Sequence, residues 1–389
     1  MSGYKSSDRN AAKLTESQKH GNQQCFVGNT GGNDSILPER QKDPFWQVVR
    51  GVCIIAVIWI HSASVVGYDN VDPHWYANYV VIVRQVINFP VAAFLFLSGY
   101  FVDTVRVASH PYGWVKTRFV RLVIPYIVWS LVYSGINITQ NPSVPIWHRV
   151  LSLFIGSAAA QLYFIVVLVQ LTILTPILTK LVLGRWRFIG LLVSPTYVIV
   201  YIYVYVILFH RGLPPLYGTL CCAWFIFYYL GIWTRVRKQQ KPISTKKVLC
   251  IMLFALVVAM VEAYAWIFCG APFSLAISQV KITSLFYSLS VILFFFTWHR
   301  YPLHKNRLLS LLERIGDLSY GIYYVHMVWL VALQTLVVMN SRVSEIINGI
   351  PLPLIQIAQI LCSLILSIIT IMIARKIFGR KLATRVFGF

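Results

Sequence analysis

Residues 48–63 read VVRGVCIIAVIWIHSA, an apolar run of membrane character in which Arg50 and His61 stand eleven residues apart. An anchor needs neither side chain, because a charged group in hydrocarbon costs about 3 kcal/mol on insertion scales. Outward from this stretch the pattern repeats. Apolar runs of about 20 residues, each long enough to cross roughly 30 Å of hydrocarbon, recur from Phe45 to the end of the chain between short polar breaks. With 389 residues, 58% hydrophobic and 12% charged, the composition lies outside that of soluble domains.

The breaks place about ten transmembrane helices, at 46–67, 79–102, 118–139, 161–182, 187–209, 216–235, 248–268, 282–299, 317–339 and 353–375. All are expected to be helical, since lipid offers an unpaired backbone group no partner. The expected fold is therefore an all-α polytopic membrane protein. Residues 1–44, rich in Ser, Asn, Gln, Gly and Lys, lack the composition to bury a core and read as a disordered cytoplasmic tail. The membrane domain covers 45–376, and residues 377–389 read as a basic cytoplasmic tail.

The formal charge of +22 follows the breaks. Every second one is basic, as at Arg185 and Arg187, at Arg235 to Lys247, at Arg300 to Arg307 and at Arg375 to Arg385, whereas the intervening ones carry little beyond Arg149, Arg211 and Arg342. This is the positive-inside pattern for ten spans with both termini cytoplasmic. The basic excess orients the chain among membrane lipids and argues against nucleic acid as a partner. Seven cysteines with no CxxC pair imply neither a disulfide framework nor a zinc site, so no metal is expected.

Polar residues inside the spans are the candidates for function. Eleven residues amount to about 16 Å of rise and three turns plus some 20°, so Arg50 and His61 share one face of the first span. Arg118 and Arg121 in WVKTRFVRLVIPY are i, i+3 neighbours, and two guanidinium forks suit a phosphate or pyrophosphate. In FLFLSGYF, Ser98, Gly99 and Tyr100 end the second span. Gly99 lets a ligand or another backbone approach closely, and Tyr100 offers a hydroxyl or a stacking face. Glu262 in VVAMVEAYAW lies about as deep as His61, and a histidine is a natural partner for it. In ERIGDLSYGIYYVHMVWL, Ser319 and Tyr323 share a face, and His326 is placed either to line a cavity or to hydrogen-bond within the bundle.

These motifs together resemble the acyltransferase-3 family, integral-membrane O-acyltransferases of bacterial surface polysaccharides and related glycolipids. The resemblance covers residues 45–376 and rests on Arg50 to His61, on FLFLSGYF at Phe94 to Phe101, on Arg118 and Arg121 followed by Pro125 and Tyr126, and on IGDLSYGIYYVH at Ile315 to His326. Two departures stand out: Gln161, Leu162, Tyr163 and Phe164 occupy the place of the family's His-Leu-Trp-Phe, and Gln47, Val48 and Val49 stand just before Arg50 where an acidic residue is often found.

The resemblance implies a multi-pass protein of the bacterial inner membrane that transfers an acetyl or other short acyl group from acyl-CoA to a sugar hydroxyl. The acceptor would be a surface polysaccharide, exopolysaccharide or lipid-linked glycan. His61 would be the base with Arg50 and Glu262 at the catalytic centre. Arg118, Arg121, Ser98, Gly99 and Tyr100 would hold the acyl-CoA, and Ser319, Tyr323 and His326 would line the cavity. Acetyl-CoA is then a co-substrate, and no cofactor is implied. The competing class is a transporter or flippase for a glycan or small solute; it predicts inverted repeats and broken half-helices, and no clear repeat is visible.

Overall fold

The computed structural model of the protein describes residues 43–62, 73–140, 142–209, 212–237, 243–301, 306–348 and 350–389. The expected N-terminal tail lies outside them up to residue 42, as do Arg211, Lys238, Lys241 and Lys305 of the breaks. The described residues form helices and no strands. These are α1 Pro44–Ser62, α2 Pro73–Ile87, α3 Pro90–Tyr100, α4 Thr104–Ser109, α5 Pro111–Gln140, α6 Ile146–Ile155, α7 Tyr163–Leu183 and α8 Ile189–Phe209. There follow α9 Phe225–Val236, α10 Thr245–Phe268, α11 Ile282–Trp298, α12 Arg307–Asp317, α13 Ser319–Met339, α14 Ser341–Asn348 and α15 Leu352–Phe387.

Among the described residues, eight helical stretches are long and apolar enough to cross a membrane, α2 and α3 counting as one. The chain is a multi-pass membrane protein. The third expected span starts earlier than its apolar core, at Pro111, because the amphipathic stretch before Arg118 continues the same helix. The sixth expected span is the departure, since its helix begins at Phe225 rather than at 216, while the eighth is found at its expected place. Helix α9 has 12 residues and α11 has 17, and irregular segments precede both.

Helix α1 is the axis of the bundle, with α2, α3, α12, α13 and α15 packed around it. Its apolar window is 72% buried, whereas that of α10 at the periphery is 17% buried. Its tightest neighbour is α12, through two glycines. A Cβ on Gly316 would fall 1.8 Å from the Gln47 carbonyl oxygen, and one on Gly51 would fall 2.2 Å from that of Leu312. Small residues at such crossings let backbones meet where lipid supplies no hydrophobic drive.

The C-terminal segment is built into the fold. Gly379 adopts φ +72°, which only glycine takes without strain, and the chain turns there. Trp129 Nε1 then donates to the Phe387 carbonyl at 3.0 Å, and Phe389 is 4% exposed against the Trp129 ring. Residues 377–389 are basic as expected, but their last turn is packed against α5.

Candidate active site

The bundle gathers its cations at one end. Arg50 of α1 lies 5.5 Å from the Phe101 ring centroid. Arg118 of α5 lies 5.1 Å from that of Trp114 and donates to the Ser98 carbonyl at 3.5 Å. Arg50 feels the charges of Asp317, Arg118 and Arg121. The three arginines expected at one end are thus brought together, with Asp317 as the acidic group among them.

The FLFLSGYF residues are placed otherwise than as a ligand cradle. A Cβ on Gly99 would lie 2.1 Å from the Tyr228 carbonyl oxygen, and one on Gly231 would lie 2.2 Å from that of Phe96, so α3 and α9 fill the space themselves. The Ser98 hydroxyl donates back to Phe94 at 2.8 Å. Tyr100 stacks on Phe96 and faces a separate cleft of about 1690 Å³, rimmed by Lys180, Arg235 and Arg300. Tyr100 therefore lines that cleft and not the cavity that holds His61.

A cavity of about 700 Å³ carries His61, Arg84, Gln161, Tyr163, Tyr217 and Tyr323 in its wall. It exists because helices stop short. Segments 155–161, 216–219 and 277–280 are mostly irregular backbone in its wall, next to the starts of α7, α9 and α11. Non-helical backbone at membrane depth persists only where protein or a cavity covers it. The helix α2 also breaks at Asn88 and Phe89 before Pro90, and Asn88 Nδ2 ties that break to the Ser278 carbonyl at 3.3 Å.

The His61 ring lies 5.4 Å from that of His326 between centroids. His326 is fully buried, with Nδ1 3.1 Å from the Ile322 carbonyl oxygen. Since a carbonyl only accepts, Nδ1 carries the proton and Nε2 is left as an acceptor. His326 thus packs behind His61 and is not part of the cavity wall. Tyr323 does line the cavity, and its hydroxyl donates to the Gln161 carbonyl. Ser319 is buried at the start of α13, beside Asp317 and the basic end, away from the cavity.

Glu262 does not pair with His61. Its Oε1 accepts from the Tyr203 hydroxyl and from Trp266 Nε1 at 3.3 Å, and its Oε2 accepts from the Thr283 hydroxyl and from Thr283 N at 3.2 Å. Helix α10 packs on α11 and α2, which directs the carboxylate to the start of α11. Glu262 lies within electrostatic reach of Lys281, whose Nζ donates to Gln85 Oε1 at 3.0 Å and to the Ala276 carbonyl at 2.8 Å. These bonds make Glu262 a brace. Glu262→Ala should cost about 1–3 kcal/mol for each polar group it orphans, read as a lower melting temperature in detergent. A variant that melts like the parent and loses all transfer would contradict this.

Arg84 is the residue that sequence reasoning missed. The rule that flags Glu262 also flags a lone cation in VVIVRQVINF, but the short distance to the span end disguises it as a flank. Tyr163, noted in the sequence only as a departure from the family pattern, and Tyr217 are the neighbours of Arg84 in the cavity wall.

A half-buried histidine in the wall of a cavity, on the helix whose other end joins an arginine cluster, defines a membrane protein with a catalytic-type constellation in its interior. A family model described as an acyltransferase domain matches residues 43–375. The chain belongs to this acyltransferase-3 family and is a membrane acyltransferase, which requires an acyl donor and a hydroxyl acceptor. Comparison with curated proteins and with solved structures gives no match.

Proposed function

We propose that the protein moves an acetyl or other short acyl group from acyl-CoA, held at the basic end, to a sugar hydroxyl in the His61 cavity. The observation that carries this reading is the uninterrupted helix α1, which places Arg50 among arginines at one end and His61 in a cavity wall at the other. Under the positive-inside rule the basic end faces the cytoplasm, where acyl-CoA is. The cavity then faces the outer side of a bacterial inner membrane, toward a growing or lipid-linked glycan.

The donor's phosphates pair with Arg50, Arg118 and Arg121, and its pantetheine arm spans the rise of about 16 Å to His61. His61 takes the acceptor's hydroxyl proton as the oxygen attacks the thioester carbon. The C–S bond then breaks, and the proton passes to the leaving thiolate. The Tyr323 hydroxyl lines the cavity but donates to the Gln161 carbonyl, so it serves a developing oxyanion only by leaving that bond.

The test is the purified protein in lipid nanodiscs, given acetyl-labelled acetyl-CoA and a polysaccharide extract. Label on the glycan supports the reading. The interrupted backbone beside α2, α9 and α11 is also a transporter-like feature. Glycan that crosses a liposome membrane without acquiring label would favour that class instead. Arg118→Ala should raise the donor KM about 10-fold or more with little change in kcat, as expected for one charge-assisted phosphate contact. An unchanged donor KM would remove Arg118 from the donor site.

A further inference from the structure

We infer that the acceptor admitted to the His61 cavity carries an anionic group, a carboxylate or a phosphate, which pairs with Arg84; this rests on the acyl-transfer reading above.

Arg84 lines the same cavity as His61 and is close enough for its charge to act on the imidazole. Among the described residues its hydrogen-bond acceptor is the Ile277 carbonyl alone, at 3.4 Å from Nε and 3.3 Å from Nη2. A guanidinium has five N–H donors in a fork shaped for two oxygens of one anion, so most of its capacity is unspent. Lys281, the neighbouring buried cation, differs in having both side-chain hydrogen bonds and the Glu262 carboxylate within reach. No aspartate or glutamate is among the residues that line the cavity. Among the described residues the wall therefore holds a cation with no carboxylate beside it, in a setting that penalises one.

The donor does not supply the countercharge. The arm of acyl-CoA that reaches this depth, thioester and pantetheine, is uncharged, and its phosphates belong to the far end of α1. An anionic acceptor would supply it. Two other features of the cavity suit a sugar. Gln161 is 2% exposed and its Oε1 has no hydrogen-bond donor among the described residues, since the nearby Tyr133 hydroxyl donates to the Tyr324 carbonyl and is left only to accept from Nε2. An unsatisfied buried amide oxygen matches a hydroxyl, which donates. Tyr163 and Trp224 are stacked at 6.1 Å in the wall and offer the flat apolar surface that a sugar ring covers.

The experiment uses the full chain in nanodiscs with labelled acetyl-CoA and three acceptors: methyl β-glucoside, methyl β-glucuronide and glucose 1-phosphate. Thermal stabilisation by each acceptor is read in parallel without donor. The wild type should favour an anionic acceptor over the glucoside by about 10- to 100-fold in kcat/KM, the range of a charge-assisted contact. Arg84→Gln should erase that preference and Arg84→Lys should keep part of it. Preference for the glucuronide identifies a carboxylate, and preference for the phosphate ester identifies a phosphate.

Transfer that depends on His61 but ignores acceptor charge would overturn the inference and leave the transfer reading standing. Equal loss on all three acceptors in Arg84→Gln would also overturn it, because Arg84 would then act on the reacting centre or the fold. Stabilisation by the anions that needs Arg84, with no label moved, would support the anion site and sink the transfer reading. If neither stabilisation nor transfer appears, both fall.

Discussion

His61→Gln should lower acyl transfer by about 10²–10⁴-fold, the range for loss of a positioned general base, while the donor KM stays close to that of the parent. Glutamine approximates the size of the imidazole against His326 and keeps a polar atom in the cavity wall, but it takes no proton at neutral pH. The assay is initial rate against acetyl-CoA concentration at equal amounts of folded protein, checked by size-exclusion chromatography. A KM that rises with kcat unchanged would mean that His61 binds donor, and a rate within a few-fold of the parent would refute the base. The companion change at the other end, in Arg118, should move KM and spare kcat. The two variants together test whether the two ends of α1 have separate tasks.

Gly316→Val should abolish recovery of folded protein. Even the first carbon of the new side chain would sit 1.8 Å from the Gln47 carbonyl oxygen, a backbone atom that no rotamer change moves. The reciprocal contact, Gly51 against Leu312 at 2.2 Å, shows that α1 and α12 touch along two adjoining turns, so separating them strips both contacts. Losses above about 4 kcal/mol arise from overpacking of this kind. Gly135→Ala in α5 is the control. Nothing lies within 4 Å of its added carbon, and replacing glycine inside a helix gains roughly 0.5–1 kcal/mol. Monodisperse elution of a fluorescent fusion in detergent is the measurement, and a Gly316→Val peak like that of the parent would show the crossing to be looser than described.

Most of the helical spans were legible because lipid makes hydropathy and length nearly sufficient. The one that shrank, at α9, was not, since the irregular backbone of residues 216–219 that lines the cavity runs straight into the apolar helix. The site was legible where one helix fixes the geometry, as for Arg50 and His61, and where neighbours one turn apart share a face, as for Arg118 and Arg121. It was not legible across helices. Equal depth made Glu262 and His61 seem partners, but depth leaves the angle around the bundle open, and α10 turns its carboxylate to Tyr203 and Thr283. Gly99 illustrates the same limit: small size marks a close approach, and only the packing tells that Tyr228 is what approaches.

The clamp at Gly51 adjoins Arg50, whereas His61 lies at the far end of α1. Mechanically, α1 is a lever pinned near its arginine. With the pivot about 16 Å below the imidazole, a lean of about 4° carries the ring some 1 Å sideways, and a misplacement of that size is enough to slow a well-aligned reaction about 100-fold. The angular stiffness of the glycine-paired crossing thus joins the packing of Trp59 on Gln356 and of His61 on His326 in setting the aim of the imidazole.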